Sequence, residues 1–557
     1  MESHNIVSAL FRMADSQPDT LAIALPGAPG KPLPKEGLVP YRDISFRELA
    51  HETNLIATGL LASGFQRGDR VVLMVPPGLE FFTLSFAFLQ CGIIPVLIDP
   101  GIGMKNLKKC IGESEPVGFI GITKAHVARI LLGWGKPTVK KLGTVGTRLF
   151  WGGSLLKQIK AAGNSQEPIG CYEPNADDLS AILFTSGSTG VPKGVMYTHG
   201  NMQQQVRMIS DTFGIRQGEI DLPTFPPFAL FNPTAGMSSV IPDMDPTKPA
   251  HVDPERLIRV LKQYDVTNMF GSPSLLDRVG RYGEANNIKL PTLNRVLSAG
   301  APVPAKTLRR VTTMLNDGVQ ILTPYGATES MPVASIGSHE LLEDEVQKHS
   351  AAGGGICIGR PVEHLEAQVI RISDDPIAAW SDELVVETGV VGEIVVKGKN
   401  VTQAYFNREQ ATELAKIKDG NQIRHRMGDL GYKDEKGRLW FCGRKAHRVK
   451  LADKELYTVQ CESVFNQHPD VYRTALVGVN QQAVLCVEID RESENPVKEE
   501  IKADLLQWAA DHDLTRDIKT ILFHPSFPVD IRHNAKIFRE KLAVWAAGKL
   551  SENPVSQ

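Results

Sequence analysis

The stretch Leu183-Phe184-Thr185-Ser186-Gly187-Ser188-Thr189-Gly190-Val191-Pro192-Lys193-Gly194 decides how this chain is read. The apolar run Leu179 to Phe184 before it predicts a buried strand. The loop that follows holds hydroxyls, three glycines and one lysine. Glycine lets a backbone approach a ligand closely. Successive N–H groups in such a turn form an anion nest, and Ser and Thr hydroxyls add donors. With the mobile cation of Lys193, the pieces suit a polyphosphate. The common phosphate loop ends in Gly-Lys-Ser/Thr, whereas here Pro192 precedes the lysine and Gly194 follows it. The plain alternative is a polar linker.

Outward from this loop, helical and strand patterns alternate. Residues 46–62 carry helical apolar spacing, and Arg70–Val75 reads as a strand after the turn at Gly68-Asp69. Alternation continues to about residue 130, again from 179, and around 255–325, which predicts layered α/β architecture with mainly parallel sheets. From Gly392 the pattern changes. Gly392–Gly398 reads as a strand, Met427–Tyr432 and a turn at Asp434–Gly437 follow, then a strand Arg438–Cys442. Gly443-Arg444 marks the end of a large domain, and about 110 residues remain for a small α+β unit.

The bulk numbers bound the classes. At 557 residues the chain holds more than one core, and 42% hydrophobic with 22% charged residues is ordinary globular composition. A net charge of −2 argues against a nucleic-acid-binding surface. Seven cysteines (91, 110, 171, 357, 442, 461 and 486) show no C-x-x-C, which fits free thiols in a reducing, cytoplasmic setting. Met1-Glu2-Ser3-His4-Asn5 shows no signal-peptide pattern. The uncharged run Phe81–Ile98 reads as a buried helix ending near Gly92 and a buried strand, not as a transmembrane segment. Residues 124–160 carry eight Lys or Arg and no Asp or Glu, interleaved with Leu131, Leu132, Trp134, Leu149, Phe150 and Trp151. The plainer reading is a helical insertion packing its apolar side on the domain; the other is peripheral contact with a membrane or a partner.

The full loop string resembles the phosphate-binding loop of the adenylate-forming superfamily, which includes acyl-CoA synthetases, luciferases and peptide-synthetase adenylation domains. Further motifs stand in the expected order across nearly the whole chain. Tyr325-Gly326-Ala327-Thr328-Glu329-Ser330, about 140 residues on, matches the second signature, and Ser298-Ala299-Gly300-Ala301-Pro302 the segment beside the adenine. The resemblance implies an α/β fold: a large N-terminal adenylation domain, 1–444, of layered α/β subdomains plus a β-barrel-like subdomain, and a small mobile α+β C-terminal domain, 445–557. It implies ATP and Mg²⁺ as cofactors. Thr185, Ser186, Gly187, Ser188, Thr189, Gly190 and Lys193 would hold the phosphates, with Gly300, Ala301, Pro302 and Tyr325-Gly326 at the adenine. Thr328 would bond a phosphate oxygen, Glu329 would hold magnesium, Asp429 the ribose hydroxyls, and Arg444 ribose or phosphate. These roles suit the residue types. Lys536 sits where the family has its catalytic lysine, although Asn534-Ala535 replaces the usual Ser-Gly before it. Lys536, Lys193, Thr328 and Glu329 form the implied catalytic set.

The second half-reaction turns on departures from the acyl-CoA pattern. The hinge position is Ala446 rather than Asp or Lys. Lys450-Leu451-Ala452-Asp453-Lys454 lacks the glycines that let a pantetheine arm pass. Ala229 stands where a His or aromatic residue gates the acyl tunnel; Phe228, Ala229 and Gly271 are the expected pocket residues. Pro242–Ala250, Phe270-Gly271-Ser272-Pro273-Ser274 and Asp530-Ile531-Arg532-His533-Asn534 resemble the β-lactone synthetases of bacterial long-chain olefin biosynthesis. That resemblance implies a long-chain 2-alkyl-3-hydroxy acid as substrate, attack of its own β-hydroxyl on the adenylated carboxyl, and assembly with other enzymes of the olefin pathway. His199, His251 or a phosphate oxygen would take the hydroxyl proton. The alternatives are a fatty acyl-CoA ligase and a non-catalytic nucleotide-binding scaffold.

Overall fold

The computed structural model describes residues 3–184, 192–490, 493, 496–529 and 536–552. Among these residues, seven strands form a first sheet. Its order is Ser154–Leu155, Lys141–Val145, Gly118–Ile122, Arg70–Met74, Ile94–Ile98, Leu179–Phe184 and Gly194–Thr198, and every neighbouring pair is parallel except the last. The strand expected before the glycine-rich loop therefore ends at Phe184, and the loop joins two antiparallel neighbours. The helix Phe46–Ala62 opens on a capping box between Ser45 and Glu48. It crosses the helix Leu156–Asn164 closely enough that a Cβ on Gly59 would lie 1.9 Å from the Ile159 carbonyl oxygen. Only glycine permits that approach.

The uncharged run after Gly78 is a buried helix, Leu79–Cys91, closed by Gly92 in the left-handed conformation and followed by the strand Ile94–Ile98. Phe82, Leu84 and Phe88 are fully buried in it, so protein rather than lipid surrounds this segment. Among the described residues no helix is long and apolar enough to cross a membrane.

A second sheet runs Leu21–Pro26, Ser238–Val240, Ile220–Pro223, Asn268–Phe270, Arg295–Leu297 and Ile321–Ala327 in parallel, then reverses into Ser330–Gly337. It continues through Ile356–Pro361 into an antiparallel group, Leu439–Arg444, Gln422–Lys433, Gly392–Lys397 and Glu366–Ile370. Met427–Tyr432 thus belongs to the second half of one long strand, and its register sets Asp429 opposite Arg444.

Beyond Arg444 the chain builds a smaller sheet, Val471–Val479, Gln482–Ile489 and Thr520–Phe523. One face packs Leu476, Leu485 and Val487 against Ile501 and Leu505 of the helix Lys498–Asp511. The other packs Ala475, Val477 and Val484 against Leu542 and Ala546 of Arg539–Glu552. Two covered faces give this part its own core. All seven cysteines are free thiols, and burial pushes those such as Cys91 up to about 12, which keeps them inert.

Candidate active site

The turn between Ile321–Ala327 and Ser330–Gly337 carries Thr328 and Glu329. It is tight: a Cβ on Gly326 would lie 2.8 Å from the Ser330 carbonyl oxygen. Neighbouring elements hold it from several directions. The Tyr197 hydroxyl donates to the Thr328 carbonyl. Thr402 donates its N–H at 2.9 Å and its hydroxyl at 3.2 Å to the Glu329 carbonyl. Asn400 Nδ2 donates to the carbonyls of Met331 and Pro332. Such a frame pre-sets the Glu329 carboxylate before any ligand arrives.

The carboxylate itself accepts from the Tyr405 hydroxyl at 2.6 Å. Two ammonium groups face the Tyr405 ring, Lys193 Nζ at 4.8 Å and Lys416 Nζ at 6.0 Å from its centroid. Lys416 is buried, and its Nζ donates to the carbonyl and hydroxyl oxygens of Thr402. Burial brings Lys416 down to about 7, with Glu329 opposing the shift and Lys193 adding to it. Burial also lowers Lys193, again against the pull of Glu329. A polyanion beside these lysines would draw both back toward full charge.

A second cluster lies on the strand pair Gln422–Lys433 and Leu439–Arg444. Tyr325 donates its hydroxyl to Asp429 Oδ2 at 2.6 Å. Arg444 Nε stands 3.1 Å from Asp429 Oδ1 as an ion pair, without hydrogen-bond alignment, so that buried oxygen has no hydrogen-bond partner among the described residues. Burial raises Asp429, while Arg444, Tyr325 and Lys536 pull it down. Burial and the Asp429 charge hold the Tyr325 phenol well above its ordinary range. The hydroxyl oxygen of Ser298 is likewise buried without a hydrogen-bond partner among the described residues. Open acceptors in a buried wall suit a ligand rich in hydroxyl and amine donors.

One cavity of about 2270 Å³ gathers these groups. Lys193, Thr328, Glu329, Asp429, Arg444 and Lys536 line it, as do Gly300, Ala301, Pro302, Tyr325 and Gly326. Thr185 to Gly190 lie outside the described residues. Much of the remaining wall is apolar. Met74, Leu97, Leu107, Ile122, Ala128 and Trp134 line it, as do Phe231 and the contacting rings of Phe225, Phe228 and Phe270. The volume exceeds the 300–1,000 Å³ or so of an ordinary small-molecule pocket. It includes the cleft toward Ser463 and Asn466 of the C-terminal part.

Several expected residues fall elsewhere. Phe228 lines the cavity, but Ala229 does not: it is buried in the core beside the helix Leu79–Cys91. Gly271 also turns away. Its Cβ direction meets Leu275 and Leu276, while its neighbours Phe270 and Ser272 face the cavity. Neither His199 nor His251 lines it; His199 is buried against Tyr172, and His251 is exposed. Among the described histidines, His425 and His447 do line it. His425 keeps its Nδ1 3.2 Å from the Ala415 carbonyl oxygen, and burial holds it well below its ordinary range. The sequence reading missed Asn400, Thr402, Tyr405 and Lys416. One signal was available for Lys416, which lies between the apolar residues Ala415 and Ile417 in a short strand.

The donor set fits a magnesium nucleotide. Magnesium typically takes one or two carboxylates and completes its shell with phosphates and water. Glu329 offers one carboxylate beside Lys193, and no group of three His, Cys, Asp or Glu that could hold a metal ion occurs among the described residues. Asp429 Oδ1 and Ser298 Oγ are buried oxygens without a hydrogen-bond partner among the described residues, open to a ligand that brings donors.

Comparison with known proteins bears on this site. Residues 10–406 match the model of the AMP-binding enzyme family. The olefin beta-lactone synthetase of Stenotrophomonas maltophilia is 47% identical over 559 aligned positions, 98% of this chain and 99% of that protein. The enzyme of the same name from Xanthomonas campestris pv. campestris is 46% identical, covering 98% of this chain and 97% of its own length. Among solved structures, the anthranilate CoA ligase AuaEII in complex with anthranoyl-AMP superposes with a TM-score of 0.77 at 18% identity. It covers 99% of this chain and 98% of its own, a likeness of fold.

Proposed function

The chain belongs to the AMP-binding enzyme family, and we propose that it adenylates a long-chain 2-alkyl-3-hydroxy acid with ATP and then closes that acid to a β-lactone. It is an adenylate-forming ligase. The observation that carries the substrate reading is one cavity of about 2270 Å³ lined both by Lys193, Glu329, Asp429 and Lys536 and by many large apolar side chains. An acid with two alkyl tails on adjacent carbons needs such a wall.

In the first step a carboxylate oxygen attacks the α-phosphorus of ATP, and the bond to the bridging oxygen breaks to release pyrophosphate. Asp429 accepts the ribose hydroxyls, oriented by the Tyr325 phenol, and Arg444 holds its position beside Asp429. Lys193, with Lys416 also near the Tyr405 ring, would face the charge of the leaving pyrophosphate. Lys536 neutralises charge that gathers on the α-phosphate and the attacking carboxylate. Magnesium held by Glu329 and the phosphates would withdraw further charge from the phosphate oxygens.

In the second step the β-hydroxyl oxygen attacks the adenylated carbonyl carbon. The bond from that carbon to the oxygen bridging it to phosphorus breaks, AMP leaves with the electron pair, and the hydroxyl proton passes to a phosphate oxygen of AMP. With His199 and His251 away from the cavity, that oxygen is the remaining acceptor of the three considered. The nucleophile is already tethered, so the cavity has only to align it. No thiol enters. The segment beyond the hinge position Ala446 agrees with this: Arg448 and Lys450 both pair with Asp374, at 2.6 and 3.1 Å. These ties oppose the hinge rotation that a thiol-transfer step uses. The lactone would pass to an enzyme that removes carbon dioxide from it, which is the class of partner the reading implies.

Proton NMR of a reaction with a 2-alkyl-3-hydroxy acid, ATP and magnesium tests the reading. Lactone should accumulate with AMP and pyrophosphate in the absence of coenzyme A. Turnover that requires coenzyme A would instead make the protein an acyl-CoA ligase. Nucleotide binding without pyrophosphate release for every acid tried would make it a scaffold.

A further inference from the structure

The basic segment 124–160 divides in an unexpected way. It is not the helical insertion expected, since Lys141–Val145 and Ser154–Leu155 are strands of the first sheet; Trp134 is buried, but five large apolar side chains are not. Leu131 is 79% exposed and Phe150 80%, with Leu149, Ile130 and Leu132 between 36% and 51%. Isolated exposed leucines need no explanation, but a cluster within one helix and the adjoining loop does.

The exposure is built in. The helix Thr123–Leu132 and the loop after the strand Lys141–Val145 are locked together. His126 stacks on Trp151 with centroids 5.0 Å apart and planes 11° apart. His126 Nε2 is 2.8 Å from the Gly143 carbonyl oxygen, and Trp151 Nε1 donates to Thr144 Oγ1 at 3.0 Å. The Thr123 hydroxyl donates to the Thr147 carbonyl. Trp151 thus fixes the loop, while its neighbour Phe150 is held outward.

Exposed lysines accompany these apolar side chains along the same segment. Lys124, Lys136, Lys140 and Lys157 are exposed, and no acidic residue occurs from 124 to 160. The adjoining helix Met104–Glu113 adds a half-exposed Met104 and exposed Lys105, Lys108 and Lys109. Because the whole chain carries only −2, the positive charge is a local asymmetry. Two copies meeting through this face would bring lysines against lysines. The face also meets the cavity wall. Lys124 and Ala128 line the cavity, and Leu131 follows them at i, i+4 and i+7 on one side of the helix.

We propose that this face docks on an anionic lipid bilayer, with Leu131 and Phe150 seated below the headgroups and the lysines on lipid phosphates. Exposed apolar anchors with accompanying cations are what an interfacial contact uses. That the alkyl tails pass between bilayer and cavity at Lys124 and Ala128 rests on the proposed function; the docking does not.

Sedimentation of the full chain with vesicles tests the docking without substrate. Vesicles of phosphatidylglycerol and phosphatidylcholine should carry the protein down at roughly 50 mM salt and lose most of it at roughly 500 mM, where screening is strong. Pure phosphatidylcholine vesicles should carry little. The double variant Leu131→Ser with Phe150→Ser, and separately Lys136→Glu with Lys140→Glu, should each weaken binding by about tenfold or more. All four sites lie at the surface, and pyrophosphate release with a short, soluble 3-hydroxy acid should be unchanged, which shows that the variants fold. Absence of sedimentation at low salt overturns the proposal, as does equal binding by wild type and both variants. A dimer in solution that Phe150→Ser abolishes would reassign the face to a second copy and overturn it too. Lactone synthesis could fail while docking holds, and the converse, so the two readings fall separately.

Discussion

The Tyr405 hydroxyl bonds Glu329 while its ring faces two lysines, so one side chain links the candidate magnesium ligand to the candidate phosphate cations. Tyr405→Phe keeps the ring and removes the bond. A hydrogen bond to a charged group contributes about 1.5–3 kcal/mol. The variant should therefore release pyrophosphate about 10- to 100-fold more slowly at limiting magnesium, with part of the loss recovered as magnesium is raised. A rate that falls equally at every magnesium concentration would detach Tyr405 from metal binding. Lys536→Ala should cut adenylation by about 10²- to 10³-fold, the usual cost of losing one transition-state charge partner, and leave ATP binding close to wild type. Unchanged pyrophosphate release would remove Lys536 from the first step. These two residues also differ in how far they were legible. Lys536 and Glu329 lie in strings with a known order. Tyr405 and Lys416 acquire their environment from pairing of Ala404 and Phe406 with the strand Gly194–Thr198, across some 200 residues of chain. No local pattern records such a contact, and a lone lysine reads as solvent-facing.

At the scale of elements, patterning read the strand Leu179–Phe184, the helix Phe46–Ala62 and the buried helix before Gly92, because burial periodicity and glycine stops are local signals. The direction of a single side chain at an element's end is not local. Ala229 and Gly271 failed as pocket residues for that reason: a short 3₁₀ turn and the end of a strand aim their neighbours, Phe228 and Phe270, at the cavity instead. His199 shows what the start of an element imposes. It is the first residue of the helix His199–Phe213, is buried, and has no hydrogen-bond partner for Nδ1 among the described residues. Burial brings it down to about 4, with only partial relief from Asp178, and a helix N-terminus is also unfavourable for a cation. The folded form therefore resists a proton that the unfolded chain accepts at about 6.5. Above that pH the neutral ring costs nothing. As pH falls from about 6.5 to about 4, stability should drop by up to about 3 kcal/mol through this group, then level off. Urea midpoints at several pH values should show this acid limb in the wild type and a flatter one in His199→Phe. Parallel limbs in the two proteins would assign the acid sensitivity elsewhere.

For the whole molecule, the decisive question is whether the part beyond Arg444 swings during turnover. The change in pattern after Gly443-Arg444 was readable in the sequence; what ties the two sides together was not, because it depends on Glu393, Asp374 and Lys445 meeting in space. Glu393 is buried with Arg426 at 2.6 Å, and the same carboxylate takes Lys445 just past the junction. Breaking a buried ion pair from one side typically costs 3–5 kcal/mol. Glu393→Gln should accordingly lower the unfolding midpoint substantially, because it strands Arg426 as well. A gentler change isolates the junction. Lys445→Met with Asp374→Ala leaves the Arg426–Glu393 pair intact but removes the ion pairs of Lys445, Arg448 and Lys450 to Glu393 and Asp374, while Arg448 keeps its pair with Glu455. Because Asp374 is more than half exposed, its loss should cost little in global stability. Local opening should nonetheless increase, and trypsin should cut after Arg448 and Lys450 about tenfold faster than in the wild type. If the junction is held for an intramolecular ring closure, this looser variant should still adenylate but close the lactone less efficiently, with hydrolysed acid appearing beside it. Cleavage at the wild-type rate would show that these pairs do not hold the junction. Faster cleavage with an unchanged lactone yield would show that a fixed junction is not what the second step requires.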